Sequence, residues 1–173
     1  GQFYFYNFDK TPYISTIDKK YYESEIGKKV LELINYHKPD FYTELHCYNL
    51  KNYVKLTSMD RYKKTGIPPL IKLGNHVLVS SVSPLIRMTY FSTETVCKTL
   101  EFPCFEKLNP QIIDEYGFNK DLAIETYEEL LNLILSSSSR KHLEKEILKK
   151  YKSQVYTAME YAQKVFGKDF PPY

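Results

Sequence analysis

The sequence predicts an α/β domain, and three observations carry that prediction. An amphipathic segment from about Tyr21 to Tyr36 runs directly into a strand-like stretch, Phe41-Tyr42-Thr43-Glu44-Leu45-His46-Cys47. A second strand-like stretch, Val96-Cys97-Lys98-Thr99-Leu100-Glu101-Phe102-Pro103, again closes on one acidic residue and a proline. A long amphipathic stretch then occupies Arg140 to Phe166. Helical and strand periodicities that alternate in this way are the rhythm of α/β folds.

The first helix places Ile26, Val30, Leu33 and Ile34 on one face and Lys28, Lys29 and Glu32 on the other. Pro39 stops it, and the short His37-Lys38-Pro39-Asp40 turn leads into the strand that reads as buried and carries Glu44 and His46. Residues 49–66 are polar and lysine-rich, with a short helix expected over Met59–Lys64 and ended by Gly66. Ile67-Pro68-Pro69-Leu70 reads as a rigid loop. Asn75–Val82 reads as a strand entered through Gly74 and left through Ser83-Pro84. A second amphipathic helix over Lys120–Leu135 presents Leu122, Tyr127, Leu130, Leu131 and Ile134, with Asn119 as its N-cap.

Ser136–Ser139 compete with the helical backbone for hydrogen bonds and mark a hinge. Beyond them Leu143, Ile147, Tyr151, Val155 and Met159 recur every four residues. A helix of that length must cover its stripe, either on its own domain or on a second copy, so a homo-oligomer through this helix is one expectation. Its opposite face carries Lys141, Lys145, Lys149, Lys152 and Lys164 and reads as a solvated surface. The expected organisation is an α/β domain over 1–135, a serine hinge at 136–139, and a helix with its tail over 140–173.

Composition narrows the function classes. With 173 residues, 43% hydrophobic and rich in Tyr (17) and Phe (10), the chain is long enough for a real core and is no disordered tail. A net charge of +3 is too small to argue for a nucleic-acid partner. No run approaches the length of a membrane span, and the sequence shows no signal-peptide pattern. The three cysteines, Cys47, Cys97 and Cys104, show no Cys-x-x-Cys spacing and predict no paired framework, which points to a reducing, cytoplasmic compartment.

The chemistry concentrates on Glu44 and His46. Side chains two apart on a strand share a face, so this carboxylate and imidazole project together. Burying such groups without partners costs several kcal/mol (roughly 2–7 for a neutral polar group). Either a metal ion compensates them, or the histidine is satisfied by its neighbour Glu44.

The stretch from Tyr22 to His46, YESEIGKKVLELINYHKPDFYTELH, resembles the helix, Pro-Asp turn and Asp-Leu-His strand of the zinc carboxypeptidase and succinylglutamate desuccinylase/aspartoacylase superfamily. The later KTLEFP resembles that superfamily's Thr-Leu-Glu segment. Over most of residues 1–135 the chain is also similar to an uncharacterised archaeal family of hypothetical proteins. The superfamily resemblance implies a mixed, mostly parallel twisted sheet flanked by helices. It implies His46 as a zinc ligand, Glu101 as the carboxylate that activates water, and Glu44, where the superfamily has Asp, as the group that orients the ligand.

The superfamily takes its other two ligands from a His-x-x-Glu motif on an earlier strand and loop, and this chain has none. His37 with Asp40 has the spacing, but the pair lies in the helix-to-strand turn, where His37 suits a helix C-terminus. His76 has no carboxylate partner on its strand and reads as structural. The chain opens on Gly1, already inside the strand-like Gln2-Phe3-Tyr4-Phe5-Tyr6-Asn7-Phe8, which points to a preceding segment carrying the absent ligands. One zinc ion is expected only with those ligands present. For substrate contact the candidates are Arg87 and Asn7. Arg87 either binds a carboxylate bidentately or pairs on the surface with Glu94 or Glu106; Asn7 corresponds to a substrate-contacting Asn in the resembled enzymes. The expected function is metal-dependent hydrolysis of an amide bond in a peptide or acylated small molecule. The alternative is a non-catalytic binding or assembly module on a degenerate hydrolase fold.

Overall fold

A computed structural model describes residues 14–16, 18–65, 69–105 and 108–167. Two short helices open it, α1 (Lys19–Glu23) and α2 (Glu25–His37). The sequence reads them as one helix, but Ser24 breaks it: its backbone is extended, its amide caps α1, and its hydroxyl accepts from the Gly27 amide at 3.1 Å. Lys38, in the left-handed region at φ 45°, ends α2 ahead of Pro39, and exposed His37 is its last residue, as a helix C-terminus favours.

Strand β1 (Phe41–Tyr48) follows, then a 3-10 turn (Leu50–Asn52) and two short helices, α3 (Tyr53–Thr57) and α4 (Arg61–Thr65). A hairpin of β2 (Ile71–Gly74) and β3 (Val77–Ser80) replaces the single strand expected over 75–82. Its two-residue turn puts both Asn75 (φ 42°) and His76 (φ 62°) in the left-handed region, which matches the twist of paired strands. Ser83 and Pro84 do not merely leave that strand. They cap and start α5 (Pro84–Tyr90), with the Ser83 hydroxyl accepting from the Leu85 amide at 3.3 Å.

Strand β4 (Val96–Pro103) completes the sheet, in the order β1-β4-β3-β2. The sheet is mixed but not mostly parallel: β1 and β4 are parallel, whereas β4 with β3 and β3 with β2 are antiparallel. Among the described residues β1 is therefore an edge strand, and it is half-buried rather than buried, with Leu45 54% exposed. Three helices close the chain: α6 (Pro110–Tyr116), α7 (Lys120–Ser136) and α8 (Arg140–Phe166). Asn119 caps α7 through the Leu122 amide at 3.0 Å, and Ser139 caps α8 through His142 at 3.2 Å.

Helices cover both faces of the sheet. Ile34 of α2 and Ile86 of α5 pack with Val82 and Cys97 on one face. On the other, Leu100 and Phe102 meet α7, with the Phe102 and Tyr127 rings 4.9 Å apart, and the cluster extends to Leu73, Ala123, Leu130 and Tyr151. Helix α8 docks on its own domain: Leu143 and Tyr151 are buried, and the helix bends at Tyr151 (φ −112°, ψ 29°). Met159, at the far end of the stripe, stays exposed.

The cysteine expectation is corrected here. Cys47 and Cys104 are joined in a disulfide, with Cα atoms 5.2 Å apart across a sequence separation of 57 residues, and Cys97 is free and buried. No local spacing encodes this bond, because the parallel pairing of two distant strands creates it. It withdraws the compositional ground for a reducing compartment. Among the described residues no helix is long and apolar enough to cross a membrane.

Gly27 is buried where α2 passes α1. A Cβ there would fall on the Tyr21 carbonyl and lie 2.6 Å from the Tyr22 Cα, both rigid backbone. Gly27→Ala is therefore expected to destabilise by about 1–3 kcal/mol through overpacking, more than the gain of up to about 1 kcal/mol in helix propensity. A denaturant midpoint that is unchanged or raised would show that α1 yields at no cost. Truncation after Leu135 removes Leu143 and Tyr151, each worth roughly 1.5–3 kcal/mol when buried. An aggregated or unfolded product is expected; a folded, soluble monomer by sedimentation and circular dichroism would refute the structural role given to α8.

Candidate functional site

Parallel pairing sets the site. The register places Glu44 beside Thr99 and His46 beside Glu101, and alternation puts all four side chains on the face that carries Tyr42 and Cys97. α2 and α5 cover that face at Tyr42 and Cys97. Glu44, His46 and Glu101 lie further along, toward the carboxyl ends of the two parallel strands, where open α/β sheets gather their sites.

The imidazole of His46 sits between two carboxylates. Its Nε2 is 3.2 Å from Glu44 Oε2, and its Nδ1 is 3.6 Å from Glu101 Oε1. Glu44 is the better held: its side chain is 11% exposed, against 17% for Glu101 and 36% for the ring, and its Oε1 accepts from the Tyr42 hydroxyl at 3.1 Å. Glu44 Oε2 is buried and accepts no aligned hydrogen bond among the described residues, so a buried carboxylate oxygen faces the ring without full compensation. Burial, and then the Glu44 charge, raise the Tyr42 hydroxyl far above its usual range, which keeps it a donor.

The two carboxylates raise His46 to about 9, with Glu101 contributing most and Glu44 next, against an opposing effect of burial. Glu101 dominates although its oxygen is the more distant. The ring is thus an imidazolium at neutral pH, with a proton on each nitrogen. Arg61, at the start of α4, is lowered by burial and feels the Glu101 carboxylate working the other way.

The donor chemistry fits a metal ligand in part. Zinc takes neutral imidazole, and ligating histidines usually hand their other N–H to a carboxylate. Glu44, buried and fixed by Tyr42, occupies that orienting position at Nε2. Glu101 stands off Nδ1 at a distance longer than the 2.7–2.9 Å or so of a charge-assisted hydrogen bond. Among the described residues no group of three or more His, Cys, Asp or Glu is arranged to hold an ion. His46 could supply one donor; among the described residues no further donors complete a metal site.

The other residues singled out by sequence fall elsewhere. Arg87 lies in α5 and is 7% exposed. Its Nη1 donates to the Ser92 carbonyl at 2.7 Å and to Phe91 at 3.4 Å, and its Nη2 donates to Thr93 at 3.4 Å. The guanidinium thus binds the backbone that leads into β4 and is buried, and among the described residues no carboxylate pairs with it. Asn7 lies outside the described residues. His76 is structural: its carbonyl accepts from the Tyr48 hydroxyl at 2.6 Å and its ring packs between Tyr53 and Phe118. Sequence reasoning passed over Tyr42, although its place two residues before Glu44 on one strand face was a usable signal.

A family model described as "Uncharacterized protein conserved in archaea (DUF2119)" matches residues 1–167. Over 98 residues the chain is 47% identical to an uncharacterized protein of Methanocaldococcus jannaschii, a match that covers 57% of this chain and 46% of that relative. The matched segment thus spans about half the length of that curated relative. No solved structure matches. The likeness to zinc carboxypeptidases has no support among these comparisons.

His46 offers a direct check on the geometry. Its folded pKa lies above the ordinary value near 6.5, so the stabilisation it gives is complete below about 6.5 and is lost as pH rises through about 9. Titration of the His46 ring proton by NMR is expected to give a midpoint near 9. Glu101→Gln should lower that midpoint more than Glu44→Gln does. A wild-type midpoint near 6.5 would mean that the two carboxylates do not flank the ring.

Proposed function

The chain belongs to this archaeal family, and we propose that it contributes to metal-dependent hydrolysis of an amide bond in a peptide or acylated small molecule. The observation that carries the reading is the convergence of Glu44, His46 and Glu101 at the ends of two parallel strands. The sequence resemblance to zinc carboxypeptidases, which the comparisons do not support, singles out the same three positions, with Glu44 in place of that superfamily's Asp.

In this reading the Glu44 carboxylate faces Nε2–H, which keeps its proton, and orients the ring. Nδ1, once deprotonated, is the lone pair that would hold the ion. A bound divalent ion lowers the pKa of a coordinated water toward about 7. Glu101, beside Nδ1, takes a proton from the attacking water at a carboxylate oxygen and returns it to the leaving amine. Because the ring must first give up a proton held near pH 9, metal affinity should fall as pH drops below that value.

A second reading rests on one specific observation: both ring nitrogens already face carboxylates, which makes the charged cluster self-sufficient without an ion. The protein would then be a binding or assembly module in which the ion triad only fixes β1 to β4.

Metal analysis of the natural full-length protein separates the two. On the first reading it holds about one zinc per chain, His46→Ala abolishes it, and Glu101→Gln keeps the metal while removing amide turnover. Zinc content equal in wild type and His46→Ala, or none in either, defeats the hydrolase reading. Loss of zinc in Glu101→Gln would move that carboxylate into the coordination sphere.

A further inference from the structure

The Cys47–Cys104 disulfide lies next to the site along both strands. Cys47 directly follows His46 on β1, and Cys104 comes three residues after Glu101, just beyond β4. The bond therefore crosses the same parallel pair whose register sets His46 against Glu101. Cys47 projects to the opposite face from His46 and is solvent-exposed, while Cys104 is half-buried. The bond thus joins one exposed and one half-buried residue, and exposed disulfides are more often the labile ones.

Two anchors limit what breaking the bond would free. Tyr48 is buried, its hydroxyl donates to the His76 carbonyl, and its own carbonyl accepts from the Cys104 amide at 2.8 Å. Tyr42 packs on Phe91 with ring centroids 4.9 Å apart. Between them the 43–47 segment is edge strand among the described residues, tied laterally to β4 and to the disulfide.

We propose that Cys47–Cys104 is a thiol-exchange site that regulates the His46–Glu101 pair: oxidised it clamps the carboxyl end of β1 onto β4, and reduced it lets residues 43–47 move while the rest of the fold persists. The co-reactant is a small dithiol or a reduced dithiol protein. Its thiolate attacks Cys47 Sγ, the Cys47–Cys104 bond breaks, and Cys104 leaves as a thiolate that takes up a proton. The second thiolate of the reductant then attacks its own sulfur in the mixed disulfide, closes the oxidised reductant, and releases Cys47. Two electrons and two protons pass to the protein. Buried Cys97, whose thiol burial pushes up, takes no part.

The inference rests on the geometry of the pair and not on metal or hydrolysis, so its test uses neither. The full chain is treated with dithiothreitol, alkylated natively, and followed by amide hydrogen exchange. The expected result is no rapidly alkylated thiol before reduction, Cys47 reacting first after it, and Cys97 reacting only on unfolding. Exchange at residues 43–47 should rise at least about tenfold on reduction, with α7 and α8 unchanged. The double substitution of Cys47→Ser with Cys104→Ser should reproduce the reduced pattern without reductant. Free Cys47 and Cys104 in the untreated protein, unaltered exchange at 43–47, or exchange that rises throughout the molecule would each overturn the proposal. Absence of zinc or of turnover would leave it standing.

Discussion

The parallel ladder between β1 and β4 is the constraint on which the rest depends. It joins two segments more than fifty residues apart in sequence and fixes their register residue by residue, from Phe41 beside Val96 to Tyr48 beside Pro103. Because side chains alternate, a slip of one position would turn Glu44 and His46 to the opposite face. The apolar partners Tyr42 and Cys97, packed under α2 and α5, hold that register from one end. The Cys47–Cys104 bond holds it from the other.

The charges on this ladder explain why it is built so firmly. Carboxylates brought together repel, and an imidazole removed from water resists protonation; here each problem offsets the other, because the ring proton sits between the two acids. The same cluster is poised for a different use. Any ion that displaces the Nδ1 proton meets an imidazole already oriented by Glu44, and that carboxylate is itself held by Tyr42. On the proposed hydrolase reading, the ion triad and the metal-holding site would be two protonation states of one arrangement.

Much of the architecture was legible locally because local physics decides it. The helix over Lys120–Ser136 announces itself through Asn119 and its apolar period, and the final helix through its four-residue repeat. One misreading and one omission had signals present. Ser83-Pro84 is an N-cap followed by proline in the first turn, read instead as a strand exit. Asn109-Pro110, with Gly117 in the left-handed region, brackets α6 in the same way. The Asn75-His76 turn was harder, because it lacks the Asn-Gly or Asp-Gly pair that marks a two-residue hairpin, although Asn and His both tolerate positive φ.

By itself the sequence determined the α/β class, the long helices with the Asn119 cap, and the two strands bearing Glu44, His46 and Glu101, since periodicity and capping act over a few residues. It also singled out Glu44 and His46 as costly to bury. Only the tertiary structure decided that the sheet has a single parallel pair among the described residues, that Arg87 binds backbone carbonyls, and that Cys47 meets Cys104. These facts depend on which distant segments lie side by side, a choice made by the whole core together, where no local pattern records it.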